Sequence, residues 1–348
     1  MMNERIILKE NRNNGLDLLK AICIFFIVLH HLLLKLTDMR ALSSDSFNLL
    51  YSRCLFVNSF LVVAVNCFFL ISGYFRIKHS NIKMIKLIIE LYFLHFFVNL
   101  LFITLGYQSI SQPLIKACVF PLSKFWFVIV YILLDFISPY INKMLDVMTI
   151  YEKEKNIIIL TVVYCGYAFL IDNAVFGANR GYSIAFAIYS YILGDFIRGI
   201  NTKRLNNMLL FGYMLLCSIN GILVYCCANS GRGKIAWLLF SYNNPLVISA
   251  SVCLLLFFSN CTIHSNLLSS VGRHTFYIYI IHSTPIFMDY VINIIKNASL
   301  VEANTVIGMV TLLLISIVIV SLCCVVGLFF SQLSKAILAK MKMGLKGT

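Results

Sequence analysis

Charge is scarce in this chain. Only 12% of its 348 residues are Asp, Glu, Lys or Arg, about half the share of an ordinary soluble domain, and this excludes a globular protein with a solvated surface. No stretch is long and polar enough to form a separate soluble domain. Acidic residues are the scarcer kind, 14 against 28 Lys and Arg, for a net charge of +14. The twelve cysteines contain no Cys-x-x-Cys pair. The adjacent pairs Cys226/Cys227 and Cys323/Cys324 lack metal-ligand spacing, so no metal site is expected. Most of the others, such as Cys23, Cys67, Cys165, Cys217 and Cys253, lie inside apolar runs and read as small buried hydrophobes. The first apolar run is too long for a signal peptide and lacks a small-residue cleavage site. No internal repeat of the kind that marks many transporters is visible.

What the chain has in excess is apolar sequence, at 60%. Runs of roughly 20 residues recur, the length that crosses a hydrocarbon core of about 30 Å. The fold class is therefore all-α, a polytopic membrane bundle of about ten helices. They are expected near 15–37, 54–75, 87–105, 125–142, 157–173, 182–200, 208–228, 235–258, 275–295 and 305–331. With the N-terminus inside, 19 of the 28 Lys and Arg fall on the inner side. Both termini are then cytoplasmic, and the basic balance reflects topology rather than nucleic-acid binding. Connections are short, which makes residues 1–348 one domain with a brief inner N-terminus (1–14). The outer connection 108–124 is the longest and is expected along the interface. The basic tail 333–348 is expected to lie on anionic lipid.

Ionisable residues inside such spans are costly and mark function or an internal partner. "GLDLLKAICIFFIVLHHLLLKL" (15–36) carries Asp17, Lys20, His30 and His31. At about 100° per residue, Lys20 and His31 share a face and lie about 16 Å apart along the axis, whereas His30 is turned roughly 80° away. Asp17 is placed to pair with Lys20. His30 reads as packing toward a neighbouring helix. The second helix ends "NCFFLISGYFRIKHSNIKMIK". There Asn66 and Gly73 share a face, Ser72 and Gly73 permit close helix approach, and Arg76, Lys78, Lys83 and Lys86 form a basic rim suited to phosphates. Glu90 is spaced to pair with Lys86. In the fourth helix Asp135 is buried with Asn142 on its face, and Trp126 stands where interfacial aromatics anchor. In the ninth, Thr275, Tyr279, His282 and Asp289 make a polar stripe, and Pro285 predicts a kink beside His282. Asp195 and Arg198 read as a structural pair. Together the stripes imply a hydrated cavity.

These residues resemble acyltransferase family 3, bacterial integral-membrane acyltransferases many of which O-acetylate surface polysaccharides. "GLDLLKAICIFFIVLHHL" is similar to the family's first helix, with a basic residue (Lys20) ten residues short of its essential histidine (His31). "NCFFLISGYF" matches F-F-x-x-S-G at Phe68, Phe69, Ser72 and Gly73. "KFWFVIVYIL" resembles its Trp-containing segment, and "SVGRHTFYIYIIH" its G-[KR]-x-[ST]-x-x-x-Y-x-x-H segment, with Tyr279 and His282 in place. Three features depart from the pattern. Lys20 stands where Arg is commoner, which loses bidentate phosphate binding. Lys83 and Lys86 replace frequent arginines. No hydrolase-like domain is expected after the last helix.

The resemblance implies acetyl-CoA as donor, entering from the cytoplasm of a bacterial inner membrane. Lys20, Arg76, Lys83 and Lys86, with Ser72 and Gly73, would receive the donor. His31 would act with Lys20 and Asp17, as general base or as covalent relay. Asn66, Trp126, Asp135, Tyr279 and His282 would line the cavity for a glycan or lipid-linked glycan. A transporter or flippase of a glycan or small molecule, and transfer of succinyl or another acyl group, are the competing readings.

Overall fold

The computed structural model describes residues 13–44, 46–107, 124–171, 177–263, 265–298 and 305–344, with side chains described up to residue 334. Among them there are helices and no strands. In chain order these are α1 (Asn14–Leu36), α2 (Leu49–Phe75), α3 (Asn81–Thr104), α4 (Trp126–Val147), α5 (Ile150–Ile171), α6 (Ile184–Ile197), α7 (Lys203–Asn229), α8 (Gly233–Leu238), α9 (Pro245–Ser259), α10 (Asn266–Arg273), α11 (Thr275–Ser283), α12 (Pro285–Asn297) and α13 (Val306–Gly344). The chain is a multi-pass membrane protein. Seven of these helices are long and apolar enough to cross a membrane, or eight if the bent pair α11–α12 counts as one. Helices α6 and α9 are apolar but shorter, at 14 and 15 residues. Each of the ten expected segments meets a helix, but length and composition qualify only seven or eight as spans.

Local chemistry sets the helix limits. Asn13 caps α1 by accepting the N–H of Leu16 (3.2 Å) and donates to the carbonyl of Ser259 (3.0 Å), which satisfies an orphan helix donor and ties α1 to the end of α9. The segment expected as one helix over 235–258 is two, α8 and α9. Pro245 occupies the first turn of α9, and the Asn244 side chain accepts from Leu246 N (2.9 Å) while donating to Asn220 (2.9 Å) and to the Leu239 carbonyl (2.7 Å). The expected kink at Pro285 is a full break of 69°. Thr284 is extended (ψ 122°), as a residue before proline prefers. The connection 108–124 lies, up to residue 123, outside the described residues, as does the N-terminus before Asn13. Helix α13 runs unbroken from Val306 to Gly344, so as far as Gly344 the basic tail continues the last helix.

Lipid tails are as apolar as leucine, so helices associate in a membrane through close packing of small residues. Gly73 and Gly194 make such a contact. A Cβ on Gly73 would lie 1.9 Å from the Tyr191 carbonyl oxygen, and one on Gly194 would lie 2.2 Å from that of Leu70. Backbone therefore touches backbone where α2 meets α6. Helix α1 is central and packs against α2, α9, α10, α11 and α13. Helix α2 is 78% buried over its apolar window, against 17% for α5 and 28% for α7, which leaves the last two as the lipid-facing rim.

Candidate functional site

A cavity of about 1240 Å³ runs along one side of α1, walled further by α2, α4 and α11. From α1 it receives Asp17, Lys20, Ile24, Ile27, His31, Leu34 and Lys35, mostly at the three- and four-residue spacing of one helical face, with His30 at the edge of that face. Lys20 and His31 do share that face. From Asp17 to Lys35 the lining covers about 27 Å of axis, close to the thickness of a hydrocarbon core.

Near the middle of the cavity, two histidines 251 residues apart in sequence meet. His31 Nδ1 lies 3.1 Å from His282 Nε2, and the ring centroids are 5.1 Å apart. The network fixes which ring nitrogens carry protons. His282 Nδ1 is 2.7 Å from the carbonyl oxygen of Ile278; a carbonyl only accepts, so Nδ1 carries the proton. In the neutral ring Nε2 is then an acceptor, and His31 must donate to it from Nδ1. That leaves the His31 Nε2 lone pair for other chemistry. Ser283 Oγ, 3.2 Å from His282 Nε2, is a second donor to the same atom. His282 is fully buried, whereas His31 is half-exposed to the cavity. His30 does face a neighbour, its Nδ1 lying 2.5 Å from Asn58 Oδ1.

One end of the cavity is cationic. Lys20 Nζ lies 3.4 Å from Asp17 Oδ1 and 5.5 Å from the centre of the Phe75 ring. Lys78, Lys83 and Arg273 line the same end. Arg76 is held differently. Its Nε and Nη2 grip Asp195 at 2.6 and 3.2 Å, and its Nη1 reaches Asp146. Arg198 lies 3.6 Å from Asp195, so that expected pair is present, but Arg76 is the nearer partner. Arg76 has φ of +53°, an unusual conformation for a side chain of this size. The loop after it is fixed by Ile77 N donating to Tyr191 Oη (2.9 Å) and by Asn142 Nδ2 donating to the Ile77 carbonyl (3.2 Å).

A family model described as an acyltransferase domain matches residues 13–327. The chain belongs to acyltransferase family 3. No curated protein and no solved structure matches it with significance.

The acyltransferase brings together most of the side chains singled out in its sequence. Asp17, Lys20, His31, Ser72, Arg76, Lys83, Trp126, Asp135, Tyr279 and His282 all line the cavity. Three expected residues do not. Gly73 is spent on the backbone contact with α6. Lys86 pairs with Glu90 (3.5 Å), which also accepts from Tyr277 Oη (2.9 Å). Asn66 is buried and donates to the Tyr242 carbonyl (2.8 Å), so it positions that tyrosine from behind. The break at Pro285 separates Asp289 from the stripe of Thr275, Tyr279 and His282, and Asp289 pairs instead with Lys35.

No motif or helical phase marks His79 in the sequence. Its Nδ1 lies 2.5 Å from Asp135 Oδ2 and its Nε2 lies 2.8 Å from Asn81 Oδ1. Two oxygen partners call for two N–H donors, and the hydrogen bond to Asp135, followed by that to Asn81, raises the pKa of His79. Because the folded value is raised, the charged ring contributes stability that is fully present below the unfolded value of about 6.5 and is lost as pH climbs through the raised folded value. His79→Gln in detergent should therefore lower the Tm at pH 6 and leave it unchanged at strongly alkaline pH. A constant difference across that window would contradict the ion pair.

Proposed function

We propose that this membrane acyltransferase is an O-acetyltransferase of a bacterial inner membrane, moving the acetyl group of acetyl-CoA to a hydroxyl of a surface polysaccharide or its lipid-linked precursor. The observation that carries the reading is the His31–His282 pair, whose network leaves His31 Nε2 as a lone pair inside a cavity with a cationic end. Lys20, Lys78, Lys83 and Arg273 suit the phosphates of a CoA donor. With Asp195 and Asp146 engaged by Arg76, this residue serves the fold around the donor's entrance more than the donor.

From that end the pantetheine arm carries the thioester about 16 Å along α1, the rise from Lys20 to His31. One continuous cavity lets donor and acceptor meet there, which favours direct transfer over a relay through an acetylated histidine. The acceptor oxygen attacks the thioester carbon while His31 Nε2 takes the hydroxyl proton. The carbon–sulfur bond then breaks, and the thiolate recovers the proton from His31. Acetyl ester and free CoA leave. His282 accepts from His31 Nδ1 throughout and keeps Nε2 turned to the cavity. Donor and topology agree if the Lys20 end and both termini face the cytoplasm, where the Lys and Arg excess belongs.

Membranes given labelled acetyl-CoA should acquire base-labile label on glycan, and unlabelled glycan would refute the reading. Within it, Lys20→Ala should raise the KM for acetyl-CoA about tenfold with kcat little changed, since one charge-assisted contact contributes about 1.5 kcal/mol or more. Lys20→Arg should recover wild-type KM. Unchanged KM in Lys20→Ala would remove this residue from donor binding.

A further inference from the structure

At the end opposite Lys20, a side pocket of about 90 Å³ opens from the cavity. His30, Leu34, Arg40, Val62 and Tyr242 line both spaces, so the pocket adjoins the reaction cavity about one helical turn from His31. Its walls combine two features. The first is aromatic. Tyr182 and Tyr242 line the pocket and cluster with Trp126, which lines the main cavity beside it, at centroid separations of 4.6 Å (Trp126–Tyr182), 5.9 Å (Trp126–Tyr242, stacked at 22°) and 4.7 Å (Tyr182–Tyr242). Trp237 lines the pocket from another side. The second is cationic, with Arg40 and Arg180 both in the wall.

Arg180 is held there at a cost. Asn179, Arg180 and Gly181 have φ of +41°, +55° and +89° in succession, conformations that side-chain-bearing residues rarely adopt and that persist where surrounding contacts impose them. The Arg180 carbonyl accepts from Tyr242 N (3.0 Å), and a Cβ on Gly181 would lie 2.5 Å from Tyr242 Cβ. The strained turn is thus locked onto the aromatic cluster. None of this serves the cationic end described above.

We propose that this pocket is an acceptor subsite that selects sugars carrying a carboxylate, with Arg40 and Arg180 binding the anion and the aromatic cluster taking the sugar face. Its volume of about 90 Å³ has room for a carboxylate. The ring then remains in the main cavity against Trp126 and Tyr242, within reach of His31. Two guanidinium groups favour a planar oxyanion through paired N–H donors, and aromatic faces meet the C–H face of a sugar ring. His30, its Nδ1 donating to Asn58, retains Nε2 as an acceptor for a sugar hydroxyl. The proposal deepens the acetyltransferase reading and rests on it only for the identity of the reaction.

The molecule carries its own reporter, because its only two tryptophans, Trp126 and Trp237, both belong to this region. The full chain in detergent micelles is titrated with methyl glucuronide and with methyl glucoside while tryptophan emission is followed. The expected result is a saturable change with the glucuronide at a concentration at least tenfold below that needed for the glucoside. Arg40→Gln, at an exposed position, should reduce the glucuronide response to the glucoside level, and Arg180→Gln should do the same. Equal responses to the two sugars, or a preference that survives Arg40→Gln, would overturn the proposal. A parallel assay follows consumption of labelled acetyl-CoA. Glucuronide preference without acetyl-CoA consumption would leave the pocket standing and remove the reaction. Consumption with indistinguishable sugars would remove the pocket alone.

Discussion

His31→Ala should lower acetyl transfer by about three orders of magnitude, within the range for loss of a positioned general base, while leaving the KM for acetyl-CoA near the wild-type value. The reasoning is geometric. His30 and His31 both line the cavity, but His31 is the one paired with His282, and with its Nδ1 committed there Nε2 is the only lone pair the His31 ring offers to a hydroxyl. The fold does not depend on it. Removing the ring leaves His282 Nε2 with the Ser283 hydroxyl as partner, 3.2 Å away, and opens further space in a cavity already of about 1240 Å³. That space admits free imidazole. Added imidazole should restore part of kcat in His31→Ala, which a merely structural loss would not permit. Transfer at wild-type rate in His31→Ala would exclude this residue from the chemistry.

His282→Ala should cost about a hundredfold in kcat with little change in either KM, because misorienting a catalytic group by even an ångström has effects of that order. His282 acts on the reaction through His31. It accepts the Nδ1 proton, fixing both the tautomer and the ring plane, and its own Nδ1 is anchored on the Ile278 carbonyl (2.7 Å). His282→Gln distinguishes this role from packing. A glutamine carbonyl oxygen reaches the place of Nε2 and accepts a hydrogen bond, so most of the lost kcat should return. The pH profile of kcat should change in His282→Ala and approach the wild-type shape in His282→Gln. Equal defects in the two variants would make His282 a packing residue only. The wild-type profile retained in His282→Ala would show that it does not position His31.

The first helix was legible because a helix has one fixed phase. Eleven residues bring Lys20 and His31 to one face, and the cavity runs along that face. The break in the ninth segment followed from Pro285, although its size did not. The break at Asn244–Pro245 was signalled by the polar stretch "SYNNP" (241–245), whose Asn-Pro pair is a turn and helix-start signal, although the apolar residues on both sides suggest one continuous span. Contacts between distant segments were the least legible. Arg76 reads as part of a basic rim, but its partners Asp146 and Asp195 lie 70 and 119 residues away, and no local pattern announces that two carboxylates converge on one guanidinium. The same limit hid His79 with Asp135 and the meeting of His31 with His282. Gly73 and Asn66 illustrate the converse. Their placement on a shared face was sound, yet that face packs against α6 and Tyr242 instead of lining the cavity. Arg40 and Arg180 carried no motif, and only the left-handed turn at 179–181, invisible in sequence, brings Arg180 over the aromatic cluster.

The most direct test is transfer across a reconstituted membrane, with labelled acetyl-CoA supplied on the Lys20 side of proteoliposomes and a glycan acceptor on the other. The wild-type protein should place base-labile label on the glycan, His31→Ala should place none above background, and imidazole should restore part of it. Label that forms equally with His31→Ala, or wild-type protein that consumes no acetyl-CoA in the presence of acceptor, would contradict this mechanism.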